Sequence, residues 1–89
     1  MSARKFDFNA FQQKLDDQFS WPSLYMFKFI VPSGKEKEVE ALFPKNESTT
    51  KPSKNGNYIS VTTQVMMPSS NEVVRVYKEA TAIEGLIAL

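Results

Sequence analysis

The chain has no cysteine and no histidine. A disulfide framework is therefore excluded. So are zinc sites built on thiolate or imidazole, and the Cys–His and Ser–His nucleophilic pairs. Glycine occurs three times and never in a run. Ser33-Gly34-Lys35 is too short, and set in the wrong context, to cradle a phosphate. An excess of one charge is lacking as well. Eleven Lys and Arg face ten Asp and Glu, a formal net charge of +1, so non-specific attraction to nucleic acid or membrane is expected to be weak. The most apolar run, Leu24 to Val31, is broken by Lys28 and is far too short to span a bilayer. The start, Met1 to Asp7, has no apolar stretch of the kind a secretory signal needs. The expected setting is the cytoplasm.

Acid–base chemistry is left to carboxylates, Lys and Tyr. Asp16-Asp17 is the only adjacent acidic pair, and on a helix neighbouring side chains diverge. Glu36 and Glu40 share a helix side, but no further ligand type lies near them in sequence, and a divalent ion wants several converging oxygens. The expectation is a protein that is no enzyme and holds no metal or cofactor.

What is present reads as one α+β domain. Eighty-nine residues have room for one core and no deep enclosed site, since a chain of this size buries roughly 60–65% of its unfolded surface. Residues 1–6 read as a frayed start. From Asp7 to Phe19, Phe8, Phe11, Leu15 and Phe19 recur at three-to-four spacing, one face of a helix that Asp7 can cap. That aromatic stripe must be covered, either by the domain itself or by a partner. Pro22 then forces Trp21 out of helical geometry, and Trp21 is expected to pack the joint.

Leu24 to Val31 predicts a strand. Tyr25, Phe27, Phe29 and Val31 form its core face; Leu24, Met26, Lys28 and Ile30 form the other. Both faces are apolar apart from Lys28, as in a central strand. Ser33 with Glu36 makes a capping-box pattern for a helix to about Phe43, burying Val39, Leu42 and Phe43 and ending at Pro44. Ser69 with Glu72 makes a second, for a helix carrying Val73, Val76, Tyr77, Ala80 and Ile83 and stopped by Gly85. Leu86 to Leu89 is a short last strand.

Between the helices lies a hairpin. Asn55-Gly56 is a type I′ turn signal, because both types tolerate positive φ. After it, Tyr58, Ser60, Thr62 and Gln64 alternate with Ile59, Val61, Thr63 and Val65, a half-buried antiparallel strand. Before it, Glu47 to Ser53 is polar and holds Pro52, which suits a sheet edge.

The run Lys51-Pro52-Ser53-Lys54-Asn55-Gly56-Asn57-Tyr58, followed by Ser60-Val61, resembles the hairpin signature of the YbeD-like family of small bacterial proteins of unassigned function. A looser likeness in element order extends from about Trp21 to Leu89. Ser33 to Lys45 is shorter than the corresponding stretch of the family, so nothing is carried over for that helix. The resemblance implies a ferredoxin-like βαββαβ two-layer sandwich, sheet order 4-1-3-2, akin to ACT-type regulatory domains. Here it would occupy residues 21–89 behind an N-terminal helix and lead-in at 1–20.

Two candidate binding regions follow. Lys51, Lys54, Asn57 and Tyr58 gather cations, an amide and a phenol at one end of the sheet; edge protection and solubility account equally for the lysines, while Tyr is a common interface anchor. Leu24, Met26 and Ile30 form an apolar sheet face that helices on the opposite side would leave open. The expected role is a regulatory or binding module for a protein partner or small-molecule effector, with self-association through the open face as a further possibility. RNA binding is the alternative, because the same architecture serves RRM domains. Tyr58 is the only aromatic on the outward positions, and Asn57 stands where an RRM puts an aromatic after its glycine, so nucleic acid is disfavoured.

Overall fold

In the computed structural model, which describes residues 7–89, the chain runs α1 (Phe8–Gln18), β1 (Ser23–Pro32), α2 (Glu36–Glu40), β2 (Ser48–Pro52), β3 (Tyr58–Met67), α3 (Ser70–Ala80) and β4 (Ile87–Ala88). The reading of residues 1–6 as a frayed start lies outside the described residues. The four strands form one antiparallel sheet in the order β2-β3-β1-β4. The two long apolar strands are central, and the proline-bearing strand is an edge.

Register decides which side chains meet. β1 pairs with β3 without a break from Ser23 opposite Met67 to Pro32 opposite Tyr58. Strand residues alternate between faces, so Phe27, Phe29, Val31, Val61, Thr63 and Met67 fall on one side, where they are buried. Val39 of α2, Val73, Val76 and Ala80 of α3, and Leu15 of α1 join them in one cluster. Thr63 is a polar residue in that layer; its hydroxyl is satisfied 2.6 Å from that of Ser48 across the β2–β3 ladder.

α1 begins where the sequence places it, with the Asp7 carboxylate accepting from the Asn9 and Ala10 amides. It leans on α3. Phe11 meets Tyr77 edge to face at 5.1 Å, and Gln12 donates to Asn71 at 2.6 Å. Trp21 stacks on Phe19 at 5.4 Å and donates to Asp16 at 2.9 Å, closing the helix-to-strand joint. The Phe stripe is therefore covered within the chain, on the helix layer, and α1 does not cover the opposite face of the sheet.

Three local expectations are corrected. The hairpin is not a two-residue I′ turn: Asn55 keeps negative φ, and Gly56 alone is left-handed, at φ +74°. The Gly56 amide donates to the Ser53 carbonyl and the Ser53 amide to that of Tyr58, so a turn of ordinary hand is followed by a glycine that restores strand direction. α2 stops at Glu40 and has no side-chain cap, because the Ser33 hydroxyl is spent on the Gly56 carbonyl while Glu36 accepts from the Gly34 amide. Phe43 is still buried, from a turn rather than a helix. α3 ends at Ala80, before Gly85. Gly85 serves a different end. At φ +78° it lets the last segment pass directly over Pro32.

Candidate functional site: the open sheet face

All three helices feed the same core, so among the described residues the other face of the sheet is bare. On β1 it carries Leu24, Met26, Lys28 and Ile30; on β3, Tyr58, Ser60, Thr62, Gln64 and Met66. Ile87 of β4 sits beside Ile30, and the Leu89 amide donates to the Lys28 carbonyl, which sets Leu89 beside Lys28. Leu24, Met26, Tyr58, Met66, Ile87 and Leu89 each expose between 45 and 62% of their surface. Scattered apolar residues on a surface are ordinary, but six on one sheet face form a patch.

The patch has two ends. Leu24 lies opposite Met66 at one, with Met26 opposite Gln64 next to it. Ile30, Ile87 and Tyr58 gather at the other, toward the hairpin. Lys28, opposite Thr62, stands between them. At the hairpin end a shallow depression of about 190 Å³ is lined by Ile30, Lys51, Pro52, Ser53, Tyr58 and Ser60. Here the two sets of residues singled out from the sequence meet: Lys51 and Tyr58 from the hairpin, Ile30 from the sheet. Lys54 and Asn57 do not join them. Both are exposed in the loop, and the Asn57 carbonyl accepts from the Ser33 amide at 2.9 Å, which gives that residue's backbone a structural role.

At the other end Leu24 and Met26 border a larger groove of about 510 Å³ between α1 and β1, whose remaining wall includes Phe11, Lys14, Leu15 and Phe19. Behind it the Tyr25 and Tyr77 hydroxyls are 3.1 Å apart. Burial, reinforced by the hydrogen bond to Tyr25, pushes the Tyr77 phenol well above its ordinary pKa. It is thus a neutral donor or acceptor at any physiological pH.

Sequence reasoning missed Met66, Ile87 and Leu89. Met66 was within reach, since it continues the alternation of Tyr58, Ser60, Thr62 and Gln64 by one step. Ile87 and Leu89 were not, because a two-residue strand has no periodicity to read and only pairing with β1 fixes its faces. The spacing of Phe11, Leu15 and Phe19 predicts a core stripe, and nothing in it separates a buried face from a groove wall.

Among the described residues no group of three or more Asp and Glu side chains converges as a metal site, and no helix is long and apolar enough to cross a membrane. A family model described as a protein of unknown function, DUF493, matches residues 16–89. Searches of curated proteins and of solved structures each return no match.

Proposed function

The chain belongs to the DUF493 family of proteins of unknown function, and on that premise we propose that it is a non-enzymatic regulatory module that engages a protein partner through its open sheet face. The family match agrees with the resemblance carried by the hairpin residues. We read the fold as ferredoxin-like and ACT-like, with α1 added in front, and the setting as the cytoplasm. Support for the fold reading comes from the strand order, which is 4-1-3-2 from the β4 edge, and from α2 and α3 sharing one core.

One observation carries the functional reading. Leu24, Met26, Met66, Ile87 and Leu89 lie exposed on the side of the sheet that no helix of the described residues covers. Leaving such side chains in water forgoes about 25 cal/mol for each Å² of apolar area that a partner would bury. The face is also continuous with Tyr58, the residue type that most often anchors interfaces along with Trp and Arg. RNA is less well served. Stacking readers need aromatics on both central strands, and Tyr58 is the only one here on the open face of the described residues.

The test compares the native protein with the double variant Met66→Glu, Ile87→Glu, and with Lys78→Glu on the helix layer as a control. Immobilised on beads, each is incubated with an extract of the source cell. Retention of a protein by the native and control beads, with its loss from the double variant, is the expected result. Identical retention by all three overturns the reading. Self-association abolished by the double variant would replace the partner by a second copy of the chain.

A further inference from the structure

Asn55 alone among the asparagines is followed by glycine. That pairing has a chemistry of its own. The carbonyl carbon of an asparagine side chain is one ring closure away from the backbone nitrogen of the next residue. A β-carbon on that residue obstructs the approach, and glycine has none. The fold separates Asn55 further from the others. Asn9 and Asn71 sit in α1 and α3, and the nitrogens that follow them are tied: the Ala10 amide donates to the Asp7 carboxylate, and the Glu72 amide to the Ser69 hydroxyl. The Asn46 side chain donates to the Gln64 carbonyl at 3.4 Å. The amide after Asn57, that of Tyr58, donates to the Ser53 hydroxyl at 3.3 Å.

The Asn55 side chain is exposed and makes no hydrogen bond among the described residues. A single bond holds the nitrogen beside it: the Gly56 amide donates to the Ser53 carbonyl at 3.0 Å. Every residue from Lys51 to Tyr58 is exposed, and backbone bonds at such a loop tip open locally at little free-energy cost. Directly after the pair the chain is clamped. The Ser33 hydroxyl donates to the Gly56 carbonyl, and the Ser33 amide to the Asn57 carbonyl at 2.9 Å. Across the loop the Ser53 amide donates to the Tyr58 carbonyl at 2.8 Å.

We propose that Asn55 is a site of spontaneous backbone modification, at which the Gly56 nitrogen attacks Cγ of Asn55. The bond from that nitrogen to Cγ forms and the Cγ–Nδ2 bond breaks. The side-chain nitrogen leaves as ammonia, with the proton of the Gly56 amide. Water then opens the cyclic imide at either of its carbonyl carbons: its OH goes to that carbon and its other proton to the Gly56 nitrogen. No oxidant or reductant takes part. Opening at Cγ gives aspartate, which takes the formal net charge from +1 to zero. Opening at the main-chain carbonyl gives isoaspartate, with the same charge and one extra carbon in the main chain. The clamp has to yield to that carbon, because Gly56 and Asn57 are fixed to Ser33, and Ser53 to Tyr58. The strain reaches the depression that Lys51, Ser53 and Tyr58 help to line. The modification itself stands on the loop alone and does not depend on partner binding.

The test incubates the folded full chain at neutral pH and follows it by peptide mapping, with fragmentation that separates Asn55 from Asn57. Conversion is expected at Asn55 before any other asparagine. A purified isoaspartate-specific carboxyl methyltransferase, supplied with labelled S-adenosylmethionine, should then label the same peptide. Asn55→Gln keeps an amide at this exposed position but enlarges the ring to be closed; it should abolish both signals and leave the melting temperature unchanged. In the isoaspartate form the Ser33 and Ser53 amides should exchange severalfold faster, since both bonds span the altered loop. First conversion at Asn46 or Asn57 overturns the proposal. So does a folded chain that stays intact while the urea-unfolded chain converts at Asn55, because the Gly56–Ser53 bond would then protect the site. Unchanged exchange at Ser33 and Ser53 overturns the strain on the hairpin.

Discussion

A β-carbon placed on Gly85 would lie 2.7 Å from Cγ of Pro32. The last segment can cross the end of β1 only because this position has no side chain, and its φ of +78° adds a second demand for glycine. Gly56 is different. At φ +74° it shares the backbone requirement, yet a β-carbon there meets nothing within 4 Å. Gly85→Ala is therefore expected to cost more stability than Gly56→Ala, which should cost about 1–2 kcal/mol from backbone strain alone. Urea unfolding of the two variants checks the order, and equal losses would mean that the approach to Pro32 does not matter.

Leu15 is 4% exposed and belongs to the core cluster. Leu15→Ala should lower stability by about 2–4 kcal/mol, the range for a truncated core leucine. Thermal melting measures it. A loss below about 0.5 kcal/mol, the usual scale of surface changes, would show that α1 packs only loosely on the domain in solution.

Tyr58 lines the depression at the hairpin end and is 45% exposed. Tyr58→Ala should change stability by less than about 1 kcal/mol while weakening whatever the open face binds. A large drop in melting temperature would assign the ring to the fold instead.

The Tyr77 phenol is held neutral by burial first and by its hydrogen bond to Tyr25 second. Its folded pKa lies above the unfolded value of about 10. The unfolded chain therefore releases this proton first as pH rises, and binds fewer protons than the native state. The contribution to stability is complete below about pH 10 and is lost progressively above it. Tyr77→Phe should flatten that alkaline decline while costing about 1 kcal/mol at neutral pH, the scale of one hydrogen bond. Denaturant midpoints of both proteins at neutral and strongly alkaline pH make the comparison, and parallel declines would contradict it.

Much of this was legible in the residues themselves. Alternation along β1 and β3 marked two strands and their faces, the Phe8–Phe19 stripe marked α1, and Pro52 marked the edge. The local misreadings share a cause. The Ser33–Glu36 spacing predicts a cap for α2, but the Ser33 hydroxyl has a competing acceptor in the Gly56 carbonyl, far along the chain. Asn55 can adopt positive φ, but the loop needed it only at Gly56. Gly85 read as a helix stop and proved to be a point of close approach.

By itself, then, the sequence determined the periodic elements, the central and edge strands, and the identity of an apolar second face on β1. Those follow from side-chain spacing, which is local. The tertiary structure decided that α1 docks beside α3 and leaves that face bare, and that Met66, Ile87 and Leu89 extend it. These depend on register and on which surfaces meet, and each is set by contacts between residues distant in the chain.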